Sequence, residues 1–130
     1  ENLEDRVQDI TNGEGVHLIF DPIGGSHVEA LANVIANNGT IIEYGALSPE
    51  STPFPLLVAL KKGLCIRGYT LFEITTNTEK LQRAKKYIFN KLKKGELKPI
   101  IDNEFSFDDI VEAHRYMESN VQKGKIIVVV

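Results

Sequence analysis

The sequence predicts an α/β fold built on an open parallel sheet. Three runs of mostly apolar residues are predicted to be strands, at residues 16–20, 40–44 and 64–72, and segments with helical periodicity alternate with them. The runs are nearly continuous rather than alternating, which is typical of strands covered on both faces. Short loops between the segments favour right-handed strand–helix–strand crossovers.

The first two helices are predicted from apolar spacing and from their end signals. Residues 3–10 carry apolar side chains on one helical face, and Thr-Asn-Gly at residues 11–13 ends that helix. The second helix begins after Ser26, which has Glu29 three residues later at the spacing of a capping box. The apolar pattern predicts that this helix continues until residues 37–39 close it.

The rest of the chain continues the alternation. A short helix is predicted near residues 54–62, and a long basic helix over residues 78–94. The last part is predicted to contain an extended segment at residues 100–105, a helix that starts at the capping-box pair Ser106 and Asp109, and a final strand at residues 125–130.

Composition excludes several classes of protein. The 130 residues are 42% hydrophobic and 25% charged with a net charge of −3, a balance typical of a soluble globular domain without a nucleic-acid-binding face. No apolar run approaches the roughly 18 residues of a membrane span, and the first residues do not have the pattern of a signal peptide. The single cysteine, Cys65, excludes an internal disulfide and a thiolate cluster. We therefore expect a cytoplasmic protein. Because the chain opens at Glu1 without Met and is at once in helical pattern, we also expect a piece of a longer protein.

Two glycine-containing loops are the candidate ligand-binding positions. In open α/β sheets, ligands bind outside the carboxyl ends of the parallel strands, and residues 21–25 and 45–47 follow two of the predicted strands. Gly24 and Gly25 would let a flat or anionic ligand approach the backbone closely, next to a helix N-terminus. The alternative is that both loops are merely tight strand-to-helix turns, and composition leaves both interpretations open.

Other chemistry-bearing residues have simpler explanations. The phosphate-binding pattern G-x-G-x-x-G does not occur in the sequence. The three histidines have no metal-ligand spacing, and Asp21 before a proline is interpreted as a turn-forming residue. The basic helix is interpreted as a solvated surface. We nominate no catalytic acid or base and no metal ligand.

Four strings of the sequence, in their order and spacing, carry a family resemblance. They are GEGVHLIFDPIGG at residues 13–25, NGTIIEYGALS at 38–48, KKGLCIRGY at 61–69, and the closing segment 93–130. Together they resemble the latter part of quinone-oxidoreductase-like and zinc-type alcohol dehydrogenase-like proteins of the medium-chain dehydrogenase/reductase superfamily. The resemblance covers essentially the whole chain.

The resemblance implies a particular fold and reaction. Residues 1–98 would form the second half of a Rossmann domain, a doubly wound parallel sheet. Residues 99–130 would supply a helix and strand that return to an absent GroES-like catalytic domain. The parent protein would then be an NAD(P)H-dependent oxidoreductase that transfers hydride to a quinone, enone or related carbonyl, with NADP slightly preferred over NAD. We expect no zinc site within this chain, and we expect the chain to be inactive in isolation.

The resemblance also implies cofactor-binding residues. Six positions match the family's cofactor loops: Ile23, Gly24, Gly25, Gly45, Ala46 and Leu47. Tyr69 and Asn120 match, with less support, segments that reach the nicotinamide or ribose-phosphate end.

The resemblance further implies a partner. In this family the strand that matches the segment from Leu64 to Phe72 often lies at a sheet edge, and we expect a homodimer through it, since an apolar edge strand needs cover. Two alternatives stay open: another Rossmann-like enzyme such as a methyltransferase, and a non-catalytic dimerisation or interaction module.

Overall fold

The computed structural model describes residues 2–130, so Glu1, at which the predicted fragment starts, lies outside the described residues. The described chain groups into two compact units, one up to Thr78 and one from Glu79 to Val130. The helices and strands are, in order, α1 (Leu3–Thr11), β1 (Val16–Asp21), α2 (His27–Val34), β2 (Ile35–Glu43), α3 (Leu56–Lys62), β3 (Cys65–Gly68), α4 (Phe72–Thr75), α5 (Thr78–Lys93), β4 (Ile101–Ser106), a 3-10 turn (Phe107–Asp109), α6 (Ile110–Glu118) and β5 (Lys125–Val129).

The first unit contains a three-stranded parallel sheet in the order β1-β2-β3. Asp21 at the end of β1 pairs with Glu43 in β2, and Glu43 pairs with Gly68 at the end of β3. Because the strands are parallel and end at the same level, the loops that follow them leave from one edge. The predicted α/β class and the parallel sheet are confirmed.

The core of this unit lies on one face of the sheet. Val28 and Leu31 of α2 pack with Ile35 and Ile41 of β2, all of them buried. On the opposite face of β1, Leu18 and Phe20 are 50% and 63% exposed. The sequence predicted strands that are packed against other elements on both faces of the sheet, and the described residues do not show this for β1. Apolar runs place apolar side chains on both sides of a strand, but they do not reveal which side receives a helix.

Helix α2 ends earlier than predicted. It stops at Val34, and Ile35 is extended (φ −69°, ψ 140°) and begins β2, whereas the apolar spacing predicted a helix up to residues 37–39. The side chain of Lys62 explains how the helix can end there. Its Nζ donates to the backbone carbonyl oxygens of Ala32, Asn33 and Ile35 at 3.4, 2.7 and 2.7 Å. A lysine from α3 thus satisfies carbonyl groups that another helical turn would have used.

The predicted capping box at the start of α2 is wrong. Ser26 immediately precedes the helix, but its own backbone is helical and its side chain makes no cap hydrogen bond. The hydroxyl instead donates to the carboxylate of Glu50 at 3.1 Å. The sequence pattern could not anticipate this, because the competing acceptor lies in a different loop.

Strand β3 is shorter than predicted. It covers Cys65–Gly68, and Phe72 belongs to the short helix α4, so the prediction of one strand from Leu64 to Phe72 is wrong. Local hydrogen bonds turn the chain instead, from the N–H groups of Glu73 and Ile74 to the carbonyl oxygens three residues earlier. In the described sheet β3 pairs with β2 only, which leaves its other side as an edge.

The second unit has its own parallel pair of strands. β4 pairs with β5, and α6 lies between them in sequence and packs through the buried Ala113. The rings of Tyr116 in α6 and Phe105 in β4 pack with their centroids 5.9 Å apart. The hydroxyl of Tyr116 donates to the carboxylate of Asp102 at 2.6 Å. The predicted strand, helix and strand are confirmed. A 3-10 turn precedes the helix, and the hydroxyl of Ser106 accepts from the N–H of Asp108 rather than forming the predicted box with Asp109.

Contacts divide the chain at Thr78, whereas the resemblance placed a domain boundary at residue 98. Contacts within this chain do not test that boundary, which stays a prediction. None of the helices in residues 2–130 is long and apolar enough to cross a membrane.

Candidate functional site

The loops that follow β1, β2 and β3 are tied together by backbone hydrogen bonds. The N–H groups of Leu47 and Ser48 donate to the carbonyl oxygens of Pro22 and Ile23, at 3.2 and 2.9 Å. The N–H of Tyr69 donates to the backbone carbonyl oxygen of Glu43 at 2.8 Å. The structure therefore brings together seven of the eight residues predicted from the resemblance, which are Ile23, Gly24, Gly25, Gly45, Ala46, Leu47 and Tyr69.

Asp21 forms the turn that opens this edge. The side chain is buried, and its two carboxylate oxygens accept the N–H groups of Ile23 at 2.8 Å and Gly24 at 3.1 Å. This geometry agrees with the interpretation of Asp21 as a turn-forming residue. Asp21 therefore holds the shape of the loop at residues 21–25.

The two adjacent glycines are required by the packing of the chain itself. Both have φ of +68°, which favours glycine, and a Cβ at Gly25 would lie 2.3 Å from the hydroxyl of Ser48. A Cβ at Gly24 would lie 3.0 Å from the hydroxyl of Thr52, which also accepts the N–H of Gly25 at 2.8 Å. The space that was predicted to admit a ligand is filled by the loop after β2. The tight-turn interpretation thus explains why these two positions are glycine.

A cleft of about 400 Å³ lies next to these loops, at the ends of β2 and β3. Its lining residues are Glu43, Tyr44, Gly45, Ala46, Gly68, Tyr69, Thr70 and Glu73. Three of the predicted residues therefore line the cleft. Ile23 and Leu47 are exposed nearby, with 41% and 77% of their surface accessible.

Gly68 gives the cleft an open wall. No described heavy atom lies within 4 Å of the position where its Cβ would be, in contrast to Gly45, whose Cβ would meet the carbonyl oxygen of Pro22 at 2.4 Å. A glycine within a strand often marks the close approach of a ligand or another backbone. Gly68 is thus the glycine of this edge whose missing side chain leaves free space.

Glu43 is the electrostatically unusual residue of the cleft. Its Oε1 is buried and has no hydrogen-bond partner among the described residues. Burial, followed by the charge and hydrogen bonding of neighbouring Asp21, raises the pKa of the Glu43 carboxyl. The other carboxylate of the cleft, Glu73, is paired with Arg67 at 2.9 Å.

The sequence-based prediction missed several lining residues. Gly68 had a usable signal, a glycine inside an apolar run, and Glu43 had another, a carboxylate at the end of one. Thr70 lay within the segment from Tyr69 to Phe72 that the resemblance linked to the cofactor, although only Tyr69 was nominated. Glu73 had no signal, because it lay beside a segment predicted to be a strand.

The last predicted cofactor residue lies in the second unit. Asn120 follows α6, is exposed and has φ of 55°, a conformation that asparagine tolerates better than most residues. It is not among the residues that the first unit gathers at the sheet edge.

A metal centre finds no support in this part of the chain. Within residues 2–130 no group of three or more His, Cys, Asp or Glu side chains could hold a metal ion, and Cys65 is a free, exposed thiol. We therefore derive no chemical step through zinc.

An open parallel sheet with its cleft at the carboxyl edge defines an α/β protein of the Rossmann class. Comparison with known proteins gives the family. The sequence model of the zinc-binding dehydrogenase family matches residues 1–128, and the chain belongs to that family.

Individual relatives agree with this assignment. The chain is 28% identical to a quinone oxidoreductase-like protein 2 homolog of Nematostella vectensis, over 98% of this chain and 36% of that protein. Its fold matches a quinone oxidoreductase of Pseudomonas syringae with a TM-score of 0.81 at 22% identity, covering 100% of this chain and 40% of the other. It also matches an Escherichia coli quinone oxidoreductase complexed with NADPH, with a TM-score of 0.79 at 23% identity, over 99% and 41%. The chain thus spans well under half the length of these relatives.

Proposed function

We propose that the protein containing this chain is an NAD(P)H-dependent oxidoreductase that transfers hydride to a quinone, enone or related carbonyl. The observation that carries the proposal is the cleft between the ends of β2 and β3, adjacent to two loops that match the family's cofactor loops. The similarity to a quinone oxidoreductase complexed with NADPH and to an NAD-dependent alcohol dehydrogenase supports a nicotinamide cofactor, and we propose NADP as slightly preferred over NAD.

In this proposal the chain holds and orients the nicotinamide end of the cofactor. Gly45 and Ala46 form one wall of the cleft, Gly68 leaves room for a flat ring, and Tyr69 lies beside it. The loop at Ile23, Gly24 and Gly25, with Leu47, keeps the shape of this edge. Asn120 stays a proposed cofactor-binding residue on the resemblance alone. When bound, the cofactor supplies the hydride, while the protein supplies position and environment.

We further propose that this chain has no activity by itself and that the protein is cytoplasmic. The sequence holds no G-x-G-x-x-G pattern to bind a pyrophosphate. The remaining contacts to cofactor and substrate would come from outside these residues.

A graded substitution at Gly68 tests the proposal. NADPH binding and NADPH-dependent quinone reduction are measured for the whole protein with Gly68, Gly68→Ala and Gly68→Leu, and circular dichroism verifies folding. The leucine should fill the cleft without displacing neighbours and weaken NADPH binding at least about tenfold, a loss of roughly 1.4 kcal/mol, while the alanine has a smaller effect. Equal NADPH affinity for all three proteins would contradict a nicotinamide site in this cleft.

A further inference from the structure

Glu43 and Asp21 form a pair of carboxyl groups at the end of adjacent strands. The register of β1 and β2 places them opposite each other, so their side chains leave the same edge of the sheet. Both oxygens of Asp21 already accept N–H groups of its own loop, from Ile23 and Gly24. The carboxylate of Asp21 is thus fixed in place by the backbone of its own loop.

The described residues that line the cleft with Glu43 include no lysine or arginine. On β3, Arg67 is paired with Glu73 of α4 at 2.9 Å and lies over the ring of Tyr69, 6.0 Å from its centroid. The other polar side chains that line this space are Tyr44, Tyr69 and Thr70, and the charged residue opposite Glu43 on β1 is Asp21. A buried carboxylate next to another carboxylate is costly unless one of the two carries a proton.

We propose that Glu43 is a positioning residue that carries a proton and shares it with Asp21, and that this pair holds the loop at residues 21–25 in its observed shape. The proton on Glu43 donates to a carboxylate oxygen of Asp21, while that carboxylate keeps its two bonds to the loop N–H groups. When Glu43 loses the proton to water, two like charges face each other in a partly buried site. The loop then opens more readily, because opening lets water reach both groups.

The sign of the pH dependence follows from the raised pKa of Glu43. An acid whose pKa is higher in the folded state contributes stability that is present below its ordinary value of 4.5 and is lost as pH rises through the folded-state value. The protection of the loop amides should therefore fall with rising pH in that window, after correction for the intrinsic rate of exchange.

The first test is a direct titration of Glu43 by the ¹³C shift of its side-chain carboxyl in the unmodified protein. The midpoint should lie above 4.5 and should fall in the variant Asp21→Asn, in which one charge is removed. The signal is assigned by its loss in Glu43→Gln. A midpoint at or below the ordinary value would overturn the proposal.

The second test follows the loop itself. Amide exchange at Gly24 is measured against pH in the wild type, in Glu43→Gln and in the control Glu73→Gln, which removes a carboxylate from the same cleft. Protection should fall several-fold across the Glu43 midpoint in the wild type and in the control. In Glu43→Gln it should stay flat, because the amide remains a neutral donor to Asp21. Parallel profiles in all three proteins would overturn the proposal.

Any consequence for the cofactor rests on the proposed function, since the loop at residues 21–25 matches a cofactor loop of the family. NADPH affinity should then weaken across the same pH window in the wild type but not in Glu43→Gln. The titration and exchange experiments need no cofactor. A failed NADPH experiment with successful exchange would therefore count against the proposed function and not against the carboxyl pair.

Discussion

At the level of single residues, the positions of the loops could be predicted from the sequence. The reasons why particular residues are needed in those loops could not. The string Asp-Pro-Ile-Gly-Gly was correctly predicted to be a turn at the carboxyl edge, and Asp21 forms it. The glycines are explained by Ser48 and Thr52, which lie more than twenty residues away in sequence. Contacts between distant loops are invisible to a local pattern.

Substituting Gly25 by alanine tests this explanation. A left-handed alanine costs about 1–2 kcal/mol, and the conflict with Ser48 should add about 1–3 kcal/mol. Gly13→Ala is the matched control, because Gly13 also has positive φ, +81°, but no described atom within 4 Å of its Cβ position. Urea unfolding should show a larger loss for Gly25→Ala, and Ser48→Gly should recover part of it. Equal losses at the two glycines would contradict the packing explanation.

Lys62 provides a second test at this scale. Replacing it by methionine keeps the length of the side chain but removes the donor to three carbonyl oxygens at the end of α2. We expect a loss of about 1.5–3 kcal/mol in the free energy of unfolding, the range for hydrogen bonds made by charged groups. Lys61→Met is the control, since the neighbouring lysine is exposed. A similar small loss for both lysines would show that the cap does not matter.

At the scale of elements, the order of helices and strands was predictable, but several boundaries were not. Apolar periodicity located β1, β2, α5, α6 and β5 because each buries or half-buries part of a regular pattern. It failed at residues 35–39 and 69–72. Ile35 fits a helical face and a strand equally well, and the strand pairing with Val16 together with the Lys62 cap decides between them.

The link between α6 and β4 gives a pH-dependent prediction. The hydroxyl of Tyr116, then the N–H of Lys123, lowers the pKa of Asp102 by hydrogen bonding. Stability from this carboxylate is therefore present above the ordinary value of 3.8 and is lost as pH falls through the lower folded-state value. Tyr116→Phe should be less stable than the wild type at neutral pH, and the difference should shrink in acid. Thermal unfolding at several pH values measures it, with Tyr87→Phe on α5 as the control. A difference that is constant with pH would rule out this role.

At the scale of the whole molecule, the sequence correctly predicted half of an open parallel sheet but not which of its faces is covered. Leu18 and Phe20 are exposed although they belong to an apolar run, so the described residues do not contain all the surface that this run was predicted to contact. The cleft at the strand ends was predictable only in position. Its lining depends on where β3 stops, which the sequence did not reveal.

The edge of β3 leads to a prediction about assembly. We propose that the protein forms a homodimer through the segment from Leu64 to Phe72. The N–H of Tyr69 faces β2, and with the alternation of a strand those of Ile66 and Gly68 face the free edge. In a dimer paired through this edge the amides of Ile66 and Gly68 should exchange slowly, and faster on dilution, while that of Arg67 stays protected throughout. Fast exchange at both outward amides, together with a monomeric mass in sedimentation, would contradict the proposal.

We propose that the cleft at the ends of β2 and β3 receives the nicotinamide end of the cofactor. The most direct measurement is a crystal structure of the whole protein with NADPH bound. We expect the nicotinamide ring to contact Gly45, Ala46 and Gly68, beside the loop at residues 21–25. A cofactor bound with its ring away from this edge, or no binding of NADPH by the folded protein, would contradict it.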